Sequence, residues 1–570
     1  MQPSQRARLG SVLALTALLA ACGGGGGPPQ LGGATGATRQ DCAGLTAFTF
    51  GNTAITAATL EAAGALTLAG QPIAEHCRVT GTMNQRAGVN GNYAIGFEMR
   101  LPTAWNGRFY YQANGGVDGS VLTANGNGLG GGPLTGALAQ GFAVISSDAG
   151  HAGAQNAPGA GHFALDPQAR LDYGYQAVGT LTPMARELVN KAYGKTPDRM
   201  YIGGCSNGGR HTMVAAARYS SQYDGYLVGS PGYNLPKAGV QEMWDTQQLA
   251  TVATATLPNG LPDVATAFTV AERTLVASRI VAKSDALDGA ADGMVLDGKA
   301  CQAAFSVATD VPTCAGARDG SCLTGAQKTA LTRMYGGAKN SAGASLYNTF
   351  PLDRGIANND WALWKYILNT SLGASAVPYI FVTPPLQVAG PDLLSYVLNF
   401  SFDVDAPKIF TTGGAFTESS MQFMTPPNPA RLDALPERGA KMIVTHGTAD
   451  PVFSVDDTTS WYEALRTANG GSASYFARYF QVPGMGHCSG GAATDQYDAL
   501  TALVSWVERG QAPDSLVASA RGPGNAGGVN AEVPASWSAT RTRPLCAYPQ
   551  VARLKAGATD LESASSFSCQ

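Results

Sequence analysis

The segment YIGGCSNGGRH (residues 201–211) sets Ser206 between Gly204 and Gly208 in a G-x-S-x-G pattern. Residues 200–204 read as a short strand and 208–220 as a helix. At such a strand-to-helix turn the two glycines let the backbone bend without a Cβ clash, and the serine hydroxyl stands clear of the chain. That hydroxyl could attack a carbonyl if a base took its proton and an acid oriented the base. The chemistry in view is acyl transfer through a covalent serine ester.

The base must come from six histidines. His76, His162 and His211 lie before the serine or on the helix behind it, where surface or core roles suit them. His151, at a strand end in SDAGH, is a competitor, and His446 ends a strand but precedes the candidate acid. His487, in the glycine-rich loop VPGMGHCSG after a late strand, completes the order serine, acid, histidine that accompanies such elbows. Asp450 in THGTADPVF, just past the strand 440–446, is the acid; Asp456 and Asp457, farther along, are the alternatives. Its role would be to accept the imidazole N–H and stabilise the imidazolium. An oxyanion needs donors, expected from the Asn207 amide and from the turn Asn114-Gly115-Gly116, with either glycine able to serve.

Cys205 precedes Ser206 and Cys488 follows His487. A bridge between them would hold the two Cα atoms within about 7 Å, and nucleophile and base with them. Loop closure on this scale is worth about 5 kcal/mol or slightly more in the chain-entropy model.

These residues need a scaffold. Residues 46–100 alternate loosely as opening strands; 108–116 and 141–148 are strands, 170–193 a helix, and 226–230 a further strand. From about 235 to 430 the rhythm breaks into Gly-, Pro-, Asn- and Thr-rich sequence with isolated helical patches. Strands resume at 440–446 and 475–482, and a helix follows at 494–508 with Tyr497, Leu500, Leu503, Val504 and Val507 on one face. The expectation is an α/β fold whose core (42–234 and 432–570) is interrupted by an insertion, 235–431, of the length that forms lids over binding sites.

The 570 residues are too many for a single compact core. Hydrophobic content of 45% with 14% charge fits a globular chain, and a net charge of −3 offers no basic field for nucleic acid. Arg6 and Arg8 precede an apolar run, 9–21, too short to span a bilayer, so residues 1–22 read as an export leader. Its end, Leu19-Ala20-Ala21-Cys22, resembles the lipobox of bacterial lipoproteins, which implies acylation of Cys22 and membrane attachment at the periplasm or cell surface. The glycine-rich stretch 23–41 reads as a tether. Export permits disulfides, and of ten cysteines nine lie beyond Cys22, so at least one stays free or bonds elsewhere.

The motifs G-C-S-N-G-G-R, G-T-A-D-P and G-M-G-H-C, with GFAVISSDAGH (141–151), DYGYQAV (172–178) and RYSSQYDGYLVGSP (218–231), together resemble the tannase and feruloyl esterase family, which also includes the hydrolase of mono(2-hydroxyethyl) terephthalate. The likeness runs from about Cys42 to Cys569. It implies an α/β-hydrolase core with a large inserted lid domain, a Ser206–Asp450–His487 triad, the Cys205–Cys488 bridge, and hydrolysis of small esters of aromatic acids without an organic cofactor. The remaining bridges would be Cys42–Cys77, Cys314–Cys322 and Cys546–Cys569. Ser284 stands where relatives carry a cysteine, which leaves Cys301 as the odd thiol. The family's lid calcium maps onto SDALDGAADGMV (284–295) through Asp285, Asp288 and Asp292 and the carbonyls of Ala290 and Met294, and three carboxylates among glycine turns suit a hard cation.

Terephthalate half-ester hydrolases hold the free carboxylate with a lid arginine, and none occurs here between Arg354 and Arg431. Feruloyl or galloyl esters are therefore the leading expectation and terephthalate half-esters the alternative. Trp361 and Trp364 are candidates to stack on the ring or to pack in the core. A surface lipoprotein that binds aromatic or polysaccharide ligands without turnover is the reading from another class.

Overall fold

The computed structural model describes residues 29–153 and 159–570; the leader and the start of the tether lie outside them. Its centre is a nine-stranded sheet. In chain order the strands are β1 (Thr53–Glu61), β2 (His76–Gly88), β3 (Gly91–Pro102), β4 (Arg108–Gln112), β5 (Ala143–Ser147), β6 (Arg199–Cys205), β7 (Gly225–Gly229), β8 (Lys441–Gly447) and β9 (Ala477–Val482). Across the sheet they run β9-β8-β7-β6-β4-β5-β3-β2-β1. From β9 to β5 neighbours pair in parallel, and β3, β2 and β1 follow antiparallel.

The parallel strands are buried on both faces, as helix-covered sheets require. Every residue of β5, β7 and β8 is buried. Alternate side chains feed two cores. Tyr110, Tyr201, Leu227 and Ile443 meet Leu500, Leu503 and Val507 of the late helix Ala499–Arg509. Phe109, Ile202, Val228 and Val444 meet Leu181 and Leu188 of α1 (Ala177–Tyr193) and Met213 of α2 (Asn207–Arg218). The expected helix 170–193 is compound: α1 is preceded by a wide π turn, Asp172–Gln176.

No strand joins the sheet between β7 and β8. That interval holds α3 (Leu235–Ala250), α4 (Val270–Ser284), α5 (Gly325–Tyr335) and a wide helical stretch, Leu363–Gly373. Leu249, Phe268, Val276, Ile280, Leu331, Met334 and Trp361 gather there into a third apolar core. The segment is thus far more helical than its irregular sequence foretells. In α3, Gln241, Glu242, Asp245, Thr246 and Gln248 are buried along with Val240, Met243 and Leu249, so no polar face marks it.

The later half of the expected tether is pinned to the core. Ala37–Thr38 pairs with Ala104–Trp105, the Gln30 side chain donates to the Val507 carbonyl, and the Ala34 amide donates to Glu508. Among the described residues four disulfides join Cys42–Cys77, Cys205–Cys488, Cys314–Cys322 and Cys546–Cys569. Cys301 is free and buried, 2.6 Å from the Ser284 hydroxyl. Two short C-terminal hairpins, Ser515–Ser519 with Thr542–Cys546 and Ala552–Leu554 with Phe567–Cys569, complete the chain. Among the described residues no helix is long and apolar enough to cross a membrane.

Candidate active site

Four loops at the carboxyl ends of the parallel strands build the candidate site, where ligands of open α/β sheets bind. Ser206 follows β6, Gly115 and Gly116 follow β4, Asp450 follows β8, and His487 follows β9.

Ser206 caps α2 at φ 66° and ψ −127°, a strained conformation for a non-glycine residue. The flanking glycines make it attainable. A Cβ on Gly204 would fall 2.2 Å, and one on Gly208 2.3 Å, from the Ala113 carbonyl oxygen. Gly115 faces the serine: its Cβ position is 4.0 Å from Ser206 Oγ. Among the described residues the amides of Gly115, Gly116 and Asn207 meet no acceptor, so they remain open to an oxyanion. Asn114 braces this turn from behind, donating to Ser146 Oγ at 3.0 Å and to the Ser147 carbonyl at 2.8 Å.

His487 Nδ1 lies 2.8 Å from Asp450 Oδ2. The other Asp450 oxygen accepts the amides of Val452 and Phe453, each at 3.0 Å. Burial alone would raise the Asp450 pKa, but the charge of His487 and hydrogen bonds from His446 and His487 outweigh it and hold the carboxyl well below its usual range. Burial likewise pulls the His487 imidazolium down; Asp450, Asp360 and Glu242 together raise it above an ordinary histidine. His487 Nε2 is buried and finds no hydrogen-bond partner among the described residues. The bond to the serine hydroxyl is therefore not closed here, as is common before a substrate is bound. The Cys205–Cys488 bridge sets Cα atoms 283 positions apart at 6.0 Å, and nucleophile and imidazole share one neighbourhood through it.

The other candidates are engaged elsewhere. His151 bonds the Val117 carbonyl and stacks on Phe163, and His211 bonds Asp118. His446 bonds Thr458 and the Phe453 carbonyl and lies 3.3 Å from Asp450, supporting the acid. Asp456 accepts from Thr349 and Asp457 from Asn234. Trp364 and Phe453 stand edge-on to the His487 ring, each 5.2 Å away. Trp361 is 2% exposed, edge-on to Tyr366 and beneath Arg273, a core position and not a ring platform.

Sequence reasoning missed Asp360 and Glu242. Asp360, from the helical interval, accepts the His487 backbone N–H at 2.7 Å, and burial pushes its carboxyl up to about 6. Burial pushes Glu242 of α3 up to about 8. No motif marks either residue, because both reach the site from the interval between β7 and β8.

In the acidic loop, Asp288 accepts the amides of Ala290 and Leu296, and Asp285 accepts those of Asp292 and Gly293. Asp292 pairs with Arg543. Ala290 and Met294 are buried beside them. Among the described residues no group of three or more His, Cys, Asp or Glu side chains stands as a ready metal cage. The donors are all oxygens, the kind a hard cation takes, and burial together with Asp292 and Asp285 pushes Asp288 up to about 7.

The family model for tannase and feruloyl esterase matches residues 77–570. A mono(2-hydroxyethyl) terephthalate hydrolase from Piscinibacter sakaiensis is 41% identical over 546 residues, covering 91% of this chain and 88% of that one. Feruloyl esterase B from Aspergillus oryzae shares the fold with a TM-score of 0.71 at 22% identity, covering 92% of this chain and 98% of its own. Tannin acyl hydrolase from Aspergillus niger does so with a TM-score of 0.63 at 19% identity, covering 91% and 92%. The protein is a carboxylic ester hydrolase of the tannase and feruloyl esterase family.

Proposed function

We propose that the protein is an exported serine esterase that cleaves esters of phenolic acids through an acyl-enzyme, with Ser206 as nucleophile, His487 as base and Asp450 as its partner. The observation that carries this reading is the buried, unpartnered Nε2 of His487, in an imidazole already bonded to Asp450 and clamped by disulfide beside the serine elbow. His487 takes the Ser206 proton as the hydroxyl attacks the ester carbonyl. The oxyanion rests on the amides of Asn207 and of Gly115 or Gly116. Collapse expels the alcohol, which receives the proton from His487. Water, deprotonated by the same imidazole, then releases the aromatic acid. Asp450, anionic throughout, stabilises the imidazolium in both halves.

Residues 235–431 act as a lid, with Trp364 in the wall of the acyl pocket. The charge distribution there favours a neutral ring. Of the basic residues between Arg354 and Arg431, Lys365 is paired with Asp245 and Lys408 with Asp405, each at 2.6 Å. Asp450 and Asp360 place negative charge around His487, whereas Glu242, pushed up to about 8, is largely protonated at neutral pH. A free carboxylate on the acyl group would meet like charge and no unpaired cation from residues 355–430.

Identity to the terephthalate half-ester hydrolase favours the second reading, so turnover decides between them. Methyl ferulate or methyl gallate is expected to exceed mono(2-hydroxyethyl) terephthalate by about tenfold or more in kcat/KM, the scale of a like-charge contact. The opposite order supports the terephthalate reading, and turnover of none supports a binding protein.

Four disulfides support an oxidising compartment, and the leader with Cys22 supports a lipid-anchored protein at the periplasm or cell surface. We further infer that Asp285, Asp288, Asp292 and the carbonyls of Ala290 and Met294 hold a structural Ca2+, sharing Asp292 with Arg543. Burial of Asp285 and Asp288 near a third carboxylate, with both pKa values raised, is what a cation would relieve. Chelation is expected to lower the melting temperature, and calcium to restore it; a melting temperature that ignores the chelator contradicts the site.

A further inference from the structure

Behind the open amides lies a buried carboxylate that the mechanism above does not use. Asp118 has φ +55°, and its side chain is 2% exposed. A non-glycine residue in the left-handed region and a charge taken from water are both costly, and such costs gather where geometry matters. Burial pushes this carboxyl up to about 7.

Its contacts run to both halves of the oxyanion pocket. Oδ2 accepts Asn207 Nδ2 at 2.8 Å and lies 2.9 Å from His211 Nε2. The Asp118 amide donates to the Gly115 carbonyl at 3.3 Å. Because a trans peptide points its C=O and N–H in opposite directions, this bond also fixes where the Gly116 N–H points. The Asn207 side chain is gripped at its other end by Arg210, whose Nε donates to Oδ1 at 2.6 Å. Arg210 continues to the Tyr173 carbonyl at 3.0 Å, and the Tyr173 hydroxyl donates to the Gly116 carbonyl at 3.3 Å. The circuit closes: Asp118, Asn207, Arg210, Tyr173, the glycine turn, and Asp118 again.

We propose that Asp118 is the positioning residue of the oxyanion pocket, joining the helix that carries the Asn207 amide to the turn that carries Gly115 and Gly116. This rests on the reading of Ser206 as nucleophile. A pocket whose donors sit on two separate elements keeps its spacing only if something rigid joins them. Asp118 does so with one oxygen and one amide, from a side chain that is itself buried.

The test compares Asp118→Ala, Asn207→Ala and the double variant, measuring kcat and KM on methyl ferulate. It adds the affinity for benzeneboronic acid, which forms a tetrahedral adduct on a nucleophilic serine, and for ferulate, the planar product. Each single variant is expected to lose about 100-fold in kcat, the scale of a mispositioned oxyanion donor. Boronate affinity should fall in step, KM and ferulate affinity should hold, and the double variant should be no worse than either single one. Asp118→Asn, which keeps one acceptor oxygen, should fall between wild type and alanine. Undiminished boronate affinity, or losses in KM and ferulate affinity that match the loss in kcat, or losses that multiply in the double variant, would overturn the proposal. If Asp118→Ala does not fold, Asn207→Ala decides alone: it keeps the backbone amide and removes only the tether. Wild-type enzyme that binds no boronate and turns over no ester would instead overturn the reading of Ser206.

Discussion

Replacing Ser206 with alanine is expected to cut kcat by about 10⁵–10⁶-fold, the loss seen when a nucleophile that acts as one unit with its base is removed. His487→Ala should cost a similar factor, and the double variant no more than either, because a hydroxyl without a base and a base without a hydroxyl are equally idle. Substrate affinity should survive, since residues 235–431 and the amides of Asn207, Gly115 and Gly116 remain. A residual rate tenfold below wild type in Ser206→Ala would remove the serine from the mechanism. The competitors sharpen the result: both ring nitrogens of His446 are committed, to Thr458 and to the Phe453 carbonyl, while His151 is stacked on Phe163 with its Nε2 held on the Val117 carbonyl.

The second large effect concerns the bridge. The Cys205–Cys488 disulfide joins positions 283 residues apart, and each cysteine adjoins a residue of the proposed centre, Ser206 or His487. Replacing both cysteines with serine is expected to destabilise the protein by about 5–6 kcal/mol on the chain-entropy model. It should also lower kcat by about 100-fold, the scale of an ångström's drift between reacting groups. Removing Cys546–Cys569 supplies the comparison: it staples Thr542–Cys546 to the C-terminal strand Phe567–Cys569 and should lower thermal stability with near-wild-type kcat. Thermal denaturation and ester turnover on the two double variants separate the effects. Equal kcat losses in both would mean that the clamp acts only through global stability.

Much of this was legible in the chain because the chemistry sits on local motifs. The strand, elbow and helix around Ser206 fall within two residues of the pattern read from G-C-S-N-G-G-R, since glycine placement and apolar runs are short-range signals. The pairing of Cys205 with Cys488 followed from adjacency to two residues already singled out. What stayed hidden is of another kind. Asp360, Glu242 and His446 act on His487 or Asp450 through space, and only the folding of the helical interval and β8 brings them there. Asp118 lies in a glycine-rich turn that reads as plain loop chemistry. The helix α3 was obscured because polar residues fill its buried faces, and Trp361 and Trp364, close in sequence, part company as one enters the third core and the other meets His487.

The raised His487 pKa carries a sign that the central measurement can use. Only the neutral imidazole accepts the serine proton, so reactivity is present above its folded pKa and lost as the pH falls through it, at a midpoint above the ordinary histidine value of 6.5. The most direct test is the rate of labelling by a fluorophosphonate across pH, followed by intact mass and peptide mapping. One adduct is expected, on the peptide carrying Ser206, with a rate that climbs through such a midpoint and is absent in Ser206→Ala and His487→Ala. An adduct on another residue, or labelling of either variant at the wild-type rate, would contradict the proposed centre.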